Sequence, residues 1–387
     1  MGYSKRHGMH LSLAALVALA STSCAMDVPS ETESTGSAAE ALTTDARQDF
    51  FVWSNILTGS GNANSGYSYN GVSSTPNRIT QLATGQYRVD YDAVAGYASG
   101  GHVQVTAYGS SGERCKVAKW QASGQTLQVF VNCFAATGAP LNSMFTTSFT
   151  WRSGNIGPET AYLWANQQSA SSYTLSTSYQ WNSTGGAMSV THTPGSGRYL
   201  VTLGGQDLSG GTVEVTAYGA GNAYCKVGGW GGTSVDVECF NGSNGAPVES
   251  QFDLLFSKKA PRGSLATYTY LWADQPWTSS YNPSTYYERG NTDAQYCHPT
   301  TQPNATITRS AVGSYNVRLP GMGTAPSVTN VKVTGYSTGS DTCEVVNWYP
   351  SGADAYVNVK CFGASGSPAD AYYTLTFSST YQSCFLL

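Results

Sequence analysis

Apolar and polar residues alternate with a period of two over many short stretches of this chain. In Tyr87-x-Val89-x-Tyr91 and Val103-x-Val105-x-Ala107 the apolar residues share one strand face, with Gln104 and Thr106 opposite. Glycine-rich turns separate the stretches, so the pattern predicts short antiparallel strands rather than β-α-β units. Laid on itself, the chain carries the pattern three times. Each copy opens with an apolar residue and a tryptophan, at Val52-Trp53-Ser54-Asn55, Leu163-Trp164-Ala165-Asn166 and Leu271-Trp272-Ala273-Asp274. A Gly-x-Tyr-x-Val motif follows, with its tyrosine at Tyr87, Tyr199 and Tyr315, and then Val-x-Val-Thr-x-Tyr, ending at Tyr108, Tyr218 and Tyr336. Seven residues beyond each of those tyrosines is a cysteine, and five beyond the cysteine a tryptophan: Cys115 and Trp120, Cys225 and Trp230, Cys343 and Trp348. Val-x-Val-x-Cys-Phe comes next, ending at Phe134, Phe240 and Phe362, then Gly-x-Pro and the aromatic pairs Phe145/Phe149, Phe252/Phe256 and Tyr373/Phe377. Fixed spacings kept three times identify an internal repeat. The expected fold is all-β: three tandem antiparallel β-sandwich modules, jelly-roll or immunoglobulin-like, spanning 49–152, 160–258 and 267–387. The joints near 153–159 and 257–266 are short, which implies limited swing between neighbours.

The cysteines sharpen this picture. If Cys115 faces Cys133, Cys225 faces Cys239 and Cys343 faces Cys361 across hairpins, the turn centres fall on Gly124, Gly232 and Gly352, where positive φ is needed. The three pairs are therefore expected as disulfides, each clamping a hairpin. Cys297 and Cys384 remain, both in the third copy, and are expected to tie an insertion at 291–304 to the C-terminal tail. Eight paired cysteines imply an oxidising compartment.

The first residues read as an export signal. Lys5, Arg6 and His7 precede a run of ten, residues 11–20, that is apolar but for Ser12, and small residues end it. Ten residues cannot span a bilayer as a stable anchor helix. Cys24 stands where a bacterial lipoprotein signal places its acylated cysteine, although Ser21 replaces the usual leucine, so 1–24 is expected to be a signal peptide with lipidation at Cys24. Residues 25–48, rich in Ser, Thr, Glu and Ala, read as a flexible tether. A net charge of -4 argues against nucleic acid as a partner, and the membrane is expected to be reached only through a lipid at Cys24.

No catalytic constellation emerges. His102, His192 and His298 occupy different places in their copies, and one His beside Cys297 is an incomplete metal site, so neither metal nor cofactor is expected. Asp90, Asp92, Glu214, Asp236 and Asp253 do not recur, Glu214 corresponding to Gln104 and Lys332, and they are expected on solvated strand faces. Aromatic and amide residues do recur. Tyr67, Tyr69 and Asn70 match Tyr179, Trp181 and Asn182, a combination suited to stacking on a sugar and holding its hydroxyls, whereas Tyr286-Tyr287-Glu288-Arg289 in the third copy implies a site changed or lost. Trp120, Trp230 and Trp348, and Trp164 with its equivalents, are expected in the core.

At Val105-Thr106-Ala107-Tyr108-Gly109, then Cys115-Lys116-Val117, Trp120 and Val129 to Phe134, the chain resembles a repeat module of secreted proteins from myxobacteria and actinomycetes. The likeness covers about residues 50–387, and the third copy departs from it at Gly335, Ser337 and Glu344. It implies export and a repeated β-module, and it carries over no catalytic residue. The leading expectation is a non-enzymatic surface binding or adhesion protein for polysaccharide or cell-surface glycan, the alternative a structural spacer or envelope component without ligand. A glycan hydrolase with its site in one module ranks third.

Overall fold

Period-two alternation becomes strand throughout. The computed structural model describes residues 47–152, 160–258, 265–289, 304–323 and 328–380, all within one compact unit, 42–387. The expected signal, the acylation site Cys24, the joints and the pair Cys297 and Cys384 lie outside the described residues. The fold is β-sandwich-like and all-β, and among the described residues its other regular structure is short 3-10 turns.

Each repeat builds the same two antiparallel arrangements. An opening strand (Arg47–Ser54, Thr160–Ala165, Leu265–Ala273) pairs with a closing strand (Met144–Arg152, Gln251–Ser257, Tyr373–Thr380). The closing strand pairs on its other side with a central strand (His102–Tyr108, Thr212–Tyr218, Thr329–Gly335). The second arrangement has five strands, the outermost a short one (Ser60–Asn62, Ser172–Thr174, Ser280–Tyr281) on the strand that precedes Gly-x-Tyr. The Gly-x-Tyr strand (Gln86–Tyr91, Arg198–Leu203, Ser314–Leu319) lies between a preceding strand and the second arm of the clamped hairpin, whose first arm completes the set.

Three large hydrophobic cores fill the structure, the buried residues of each drawn from one repeat, and a small fourth cluster joins Phe51 of the first repeat to Tyr268 and Tyr270 of the third. In the first, Val89, Val103, Val117, Val129 and Val131 are wholly buried, and each contributes about 1.5–3 kcal/mol through removal from water. Val201, Val213, Val227 and Val237 play the same part in the second core, and Val317, Val331, Val345 and Val357 in the third. The Gly-x-Tyr tyrosine crosses its core as a latch. Tyr87 donates to Leu57 O at 3.2 Å and accepts from Ser143 N at 3.1 Å, and Tyr199 and Tyr315 repeat both bonds with Gln168 and Ser250 and with Pro276 and Ala371. The glycine two residues earlier is required for two reasons: Gly85, Gly197 and Gly313 have φ of +69°, +64° and +65°, and a Cβ on Gly85 would lie 2.4 Å from Cys133 O.

Disulfides join Cys115 to Cys133, Cys225 to Cys239 and Cys343 to Cys361, as the spacing implies. The turns, however, are two-residue turns at Gly124-Gln125, Gly232-Thr233 and Gly352-Ala353, because each hairpin shifts register by one at a β-bulge, between Val117 and Lys119, Val227 and Gly229, and Val345 and Asn347. The bulge explains the five-residue step from cysteine to tryptophan. An odd step would put the two on opposite faces of a regular strand, and the extra residue (Ala118, Gly228, Val346) returns Trp120, Trp230 and Trp348 to the core side with the cysteines.

The sheets do not stop at repeat boundaries. Tyr218 forms a parallel bridge to Val117, Tyr336 to Val227, and Tyr108 to Val345. These are one bridge between equivalent residues, made from repeat 2 to 1, from 3 to 2 and from 1 to 3. The third closes the circuit, and two nine-stranded sheets result. The opening strand begins at Arg47, two residues inside the stretch expected as tether.

Candidate functional site

The recurrent aromatics meet where repeats meet. Trp120 of the first repeat lies 5.9, 5.8 and 5.4 Å from the ring centres of Trp164, Tyr179 and Tyr218 of the second, all edge-on. Trp230 stands against Trp272, Tyr287 and Tyr336 of the third at 6.1, 5.6 and 5.0 Å. Trp348 stands against Trp53, Tyr67 and Tyr108 of the first at 6.2, 5.4 and 5.7 Å. Such edge-to-face pairs contribute about 0.5–1.5 kcal/mol each beyond the area they bury. Tyr67, Tyr179 and Tyr287 are therefore equivalent seam residues. The third copy has kept this tyrosine.

Tyr69 and Trp181 are half-buried beside the opening strand, paired with Phe51 and Tyr162 respectively. The Tyr69 ring packs on Phe51 at 5.7 Å, and Trp181 stacks on Tyr162 at 6.3 Å with the Arg152 guanidinium 5.1 Å from its centre. Arg289 takes this place in the third repeat, bridging to Tyr270. The amides serve their own chain. Asn70 donates to Asp92 O at 2.8 Å and accepts from Val72 N at 3.1 Å. Asn182 donates to Gly186 O and Gly204 O, both at 2.8 Å, and accepts from Gln206 Nε2 at 2.7 Å.

A second constellation appears where the three central strands touch one another. The faces turned away from each core, read from the alternation as solvated, are buried against the other repeats. Glu214 is 2% exposed and Asp253 fully buried. The divergence of equivalent residues is complementarity: Lys332 Nζ stands 2.7 Å from Glu214 Oε2 and donates to Ser148 Oγ at 3.1 Å, while Gln104 donates to Asp253 O at 3.1 Å and accepts from Thr216 Oγ1 at 2.6 Å. Three like charges there would repel. Asp90, by contrast, is half-buried beside Arg88, and Asp236 pairs with the exposed Arg198. The repeated threonines of Val-x-Val-Thr link the strands cyclically: Thr106 accepts from Val333 N at 3.2 Å, Thr216 from Val105 N at 3.1 Å, and Thr334 from Val215 N at 3.5 Å.

Further along the same meeting line Arg114 acts as a pin. Its guanidinium donates to Ala136 O, Gly242 O and Ala364 O at 3.1, 2.8 and 3.1 Å, one carbonyl from each repeat, and sits 4.4 Å over the Tyr224 ring. Beside it a cavity of about 50 Å³ is lined by Thr106, Thr216, Thr334, Lys116 and Lys226. Burial pushes both ammonium groups down to about 8. Glu344, the third-repeat counterpart of these lysines, is pushed up to about 9 by burial and by Glu113 beside it. The sequence pattern placed Glu214 on a solvated face and gave Arg114 and Lys226 no role. The available signal was that Gln104, Glu214 and Lys332, three different chemistries, interrupt an otherwise faithful motif. Among the described residues no group of three His, Cys, Asp or Glu side chains is placed to hold a metal ion.

No protein-family model, curated protein or solved structure matches the chain.

Proposed function

We propose that this is an exported, non-enzymatic structural protein of the cell surface: three sandwich modules, 49–152, 160–258 and 267–387, locked into one rigid body and carried by a lipid at Cys24 on the tether 25–48. The observation that carries this reading is the use of the repeated aromatics. Trp53, Trp164 and Trp272, with Tyr67, Tyr179 and Tyr287, pack in seams between repeats, where they stiffen the body. Three disulfides fit an oxidising, extracellular environment, and among the described residues no helix is long and apolar enough to cross a membrane. The resemblance to repeat modules of secreted bacterial proteins points the same way.

Glycan adhesion is the second reading, favoured by Trp277 and Tyr286, which stay 63% and 60% exposed. Co-sedimentation of residues 45–387 with insoluble polysaccharides and whole cells separates the two. The structural reading expects no retention. Retention that Tyr69→Ala/Trp181→Ala or Trp277→Ala abolishes would replace it with adhesion.

A further inference from the structure

Two lysines line one small cavity with no ion pair of their own. Lys116 and Lys226 occupy equivalent positions, one residue after the first cysteine of each clamp, and each is 2% exposed. The Lys226 ammonium has no hydrogen-bond partner, and that of Lys116 has one long contact, 3.5 Å to Ala220 O. An unpaired buried charge is among the costliest features a fold can carry, and it persists only where something compensates it.

The neighbouring groups do not do so. Arg114 adds a third cation, its donors already committed to backbone carbonyls. Glu113, which also lines the cavity and accepts from Ser111 N at 2.8 Å, is one carboxylate against three cationic side chains, and Glu344 Oε1 accepts from Gly112 N at 3.2 Å while its proton is retained to about pH 9. Asp341 and Glu238 reach Lys226 with their field, without a direct ion pair, and Lys116 has no such carboxylate. The cavity is thus cationic at neutral pH. Its hydroxyl lining adds a donor, since Thr334 Oγ1 accepts from Val215 N and keeps its own proton free.

We propose that this cavity binds a small monovalent inorganic anion of halide size between the ammonium groups of Lys116 and Lys226. The lining sets the class: about 50 Å³ beside two ammonium groups and a threonine hydroxyl suits a compact ion such as a halide. The ion contacts all three repeats at once, so it acts as a central rivet, and binding only the closed arrangement stabilises it in proportion to anion concentration.

Thermal unfolding of the full chain in sodium bromide or chloride, against sodium gluconate at equal ionic strength, tests this. The expected result is a saturable rise of about 2–4 °C with the halides and none with gluconate, lost in Lys226→Met. Crystals of the unmodified chain grown in bromide should show an anomalous peak in the cavity, within contact distance of both lysine nitrogens; this arm decides if the variant does not fold. Equal shifts in all three salts, a halide response kept by Lys226→Met, or a cavity without bromide density would overturn the proposal.

Discussion

Asp253 stands where the other repeats carry Thr146 and Thr374, whose hydroxyls donate to Val331 O and Val213 O of a neighbouring repeat at 2.8 and 2.9 Å. Burial raises its carboxyl well above the ordinary 3.8, and neither oxygen has a hydrogen-bond partner. The folded chain therefore keeps a proton that the unfolded chain releases above about pH 4, so this residue's contribution to stability falls as pH rises. Asp253→Thr is expected to raise the melting temperature at pH 7 and to flatten that decline, which paired melts at pH 4.5 and 7.5 check. Glu214 and Lys332 make the opposite case. Glu214→Gln strands a buried ammonium and should cost about 3–5 kcal/mol in urea unfolding, while Glu214→Gln/Lys332→Met should recover most of the loss. None of this was legible from the alternation. Period two tells which residues share a face, but not whether the second face meets water or another repeat.

At the scale of the element much more could be read. The turn glycines, the three disulfides and the core faces all follow from spacing, because a hairpin with paired cysteines has little freedom in its register. The bulge was not visible directly, although an odd step from a buried cysteine to a buried tryptophan is its signature. Deleting Ala118 leaves an even step of four, which an unbulged strand keeps on one face, so Trp120 should stay in its core with its fluorescence maximum unchanged, whereas inserting a second alanine beside Ala118 should turn it out, lower stability and shift the fluorescence to the red. Opening the Cys115–Cys133 clamp with two serines should cost about 3 kcal/mol in the chain-entropy account, measurable by denaturant unfolding. The aromatic pairs that suggested a sugar platform share their composition with a packing seam; a flat ring and an amide look alike in sequence whether they serve a ligand or the chain itself. Only the partners distinguish them, Trp348 for Tyr67 and Trp120 for Tyr179.

For the whole molecule the sequence shows three copies and is silent on how they meet. A linear array would leave the first and last copies each with an unpaired seam face. Here the bridge Tyr108 to Val345 and the packing of Trp348 on Trp53 join the last repeat to the first, so each repeat has two neighbours. Arg114, which reaches a carbonyl in every repeat, ties the three together again. Repeats held this way should unfold as one cooperative unit rather than in steps. Differential scanning calorimetry of the full chain and of Trp348→Ala tests this most directly. The account predicts a single transition whose van't Hoff and calorimetric enthalpies agree, moved to lower temperature as a whole by the substitution. Two or three separable transitions, with only the third repeat's moved by Trp348→Ala, would contradict it.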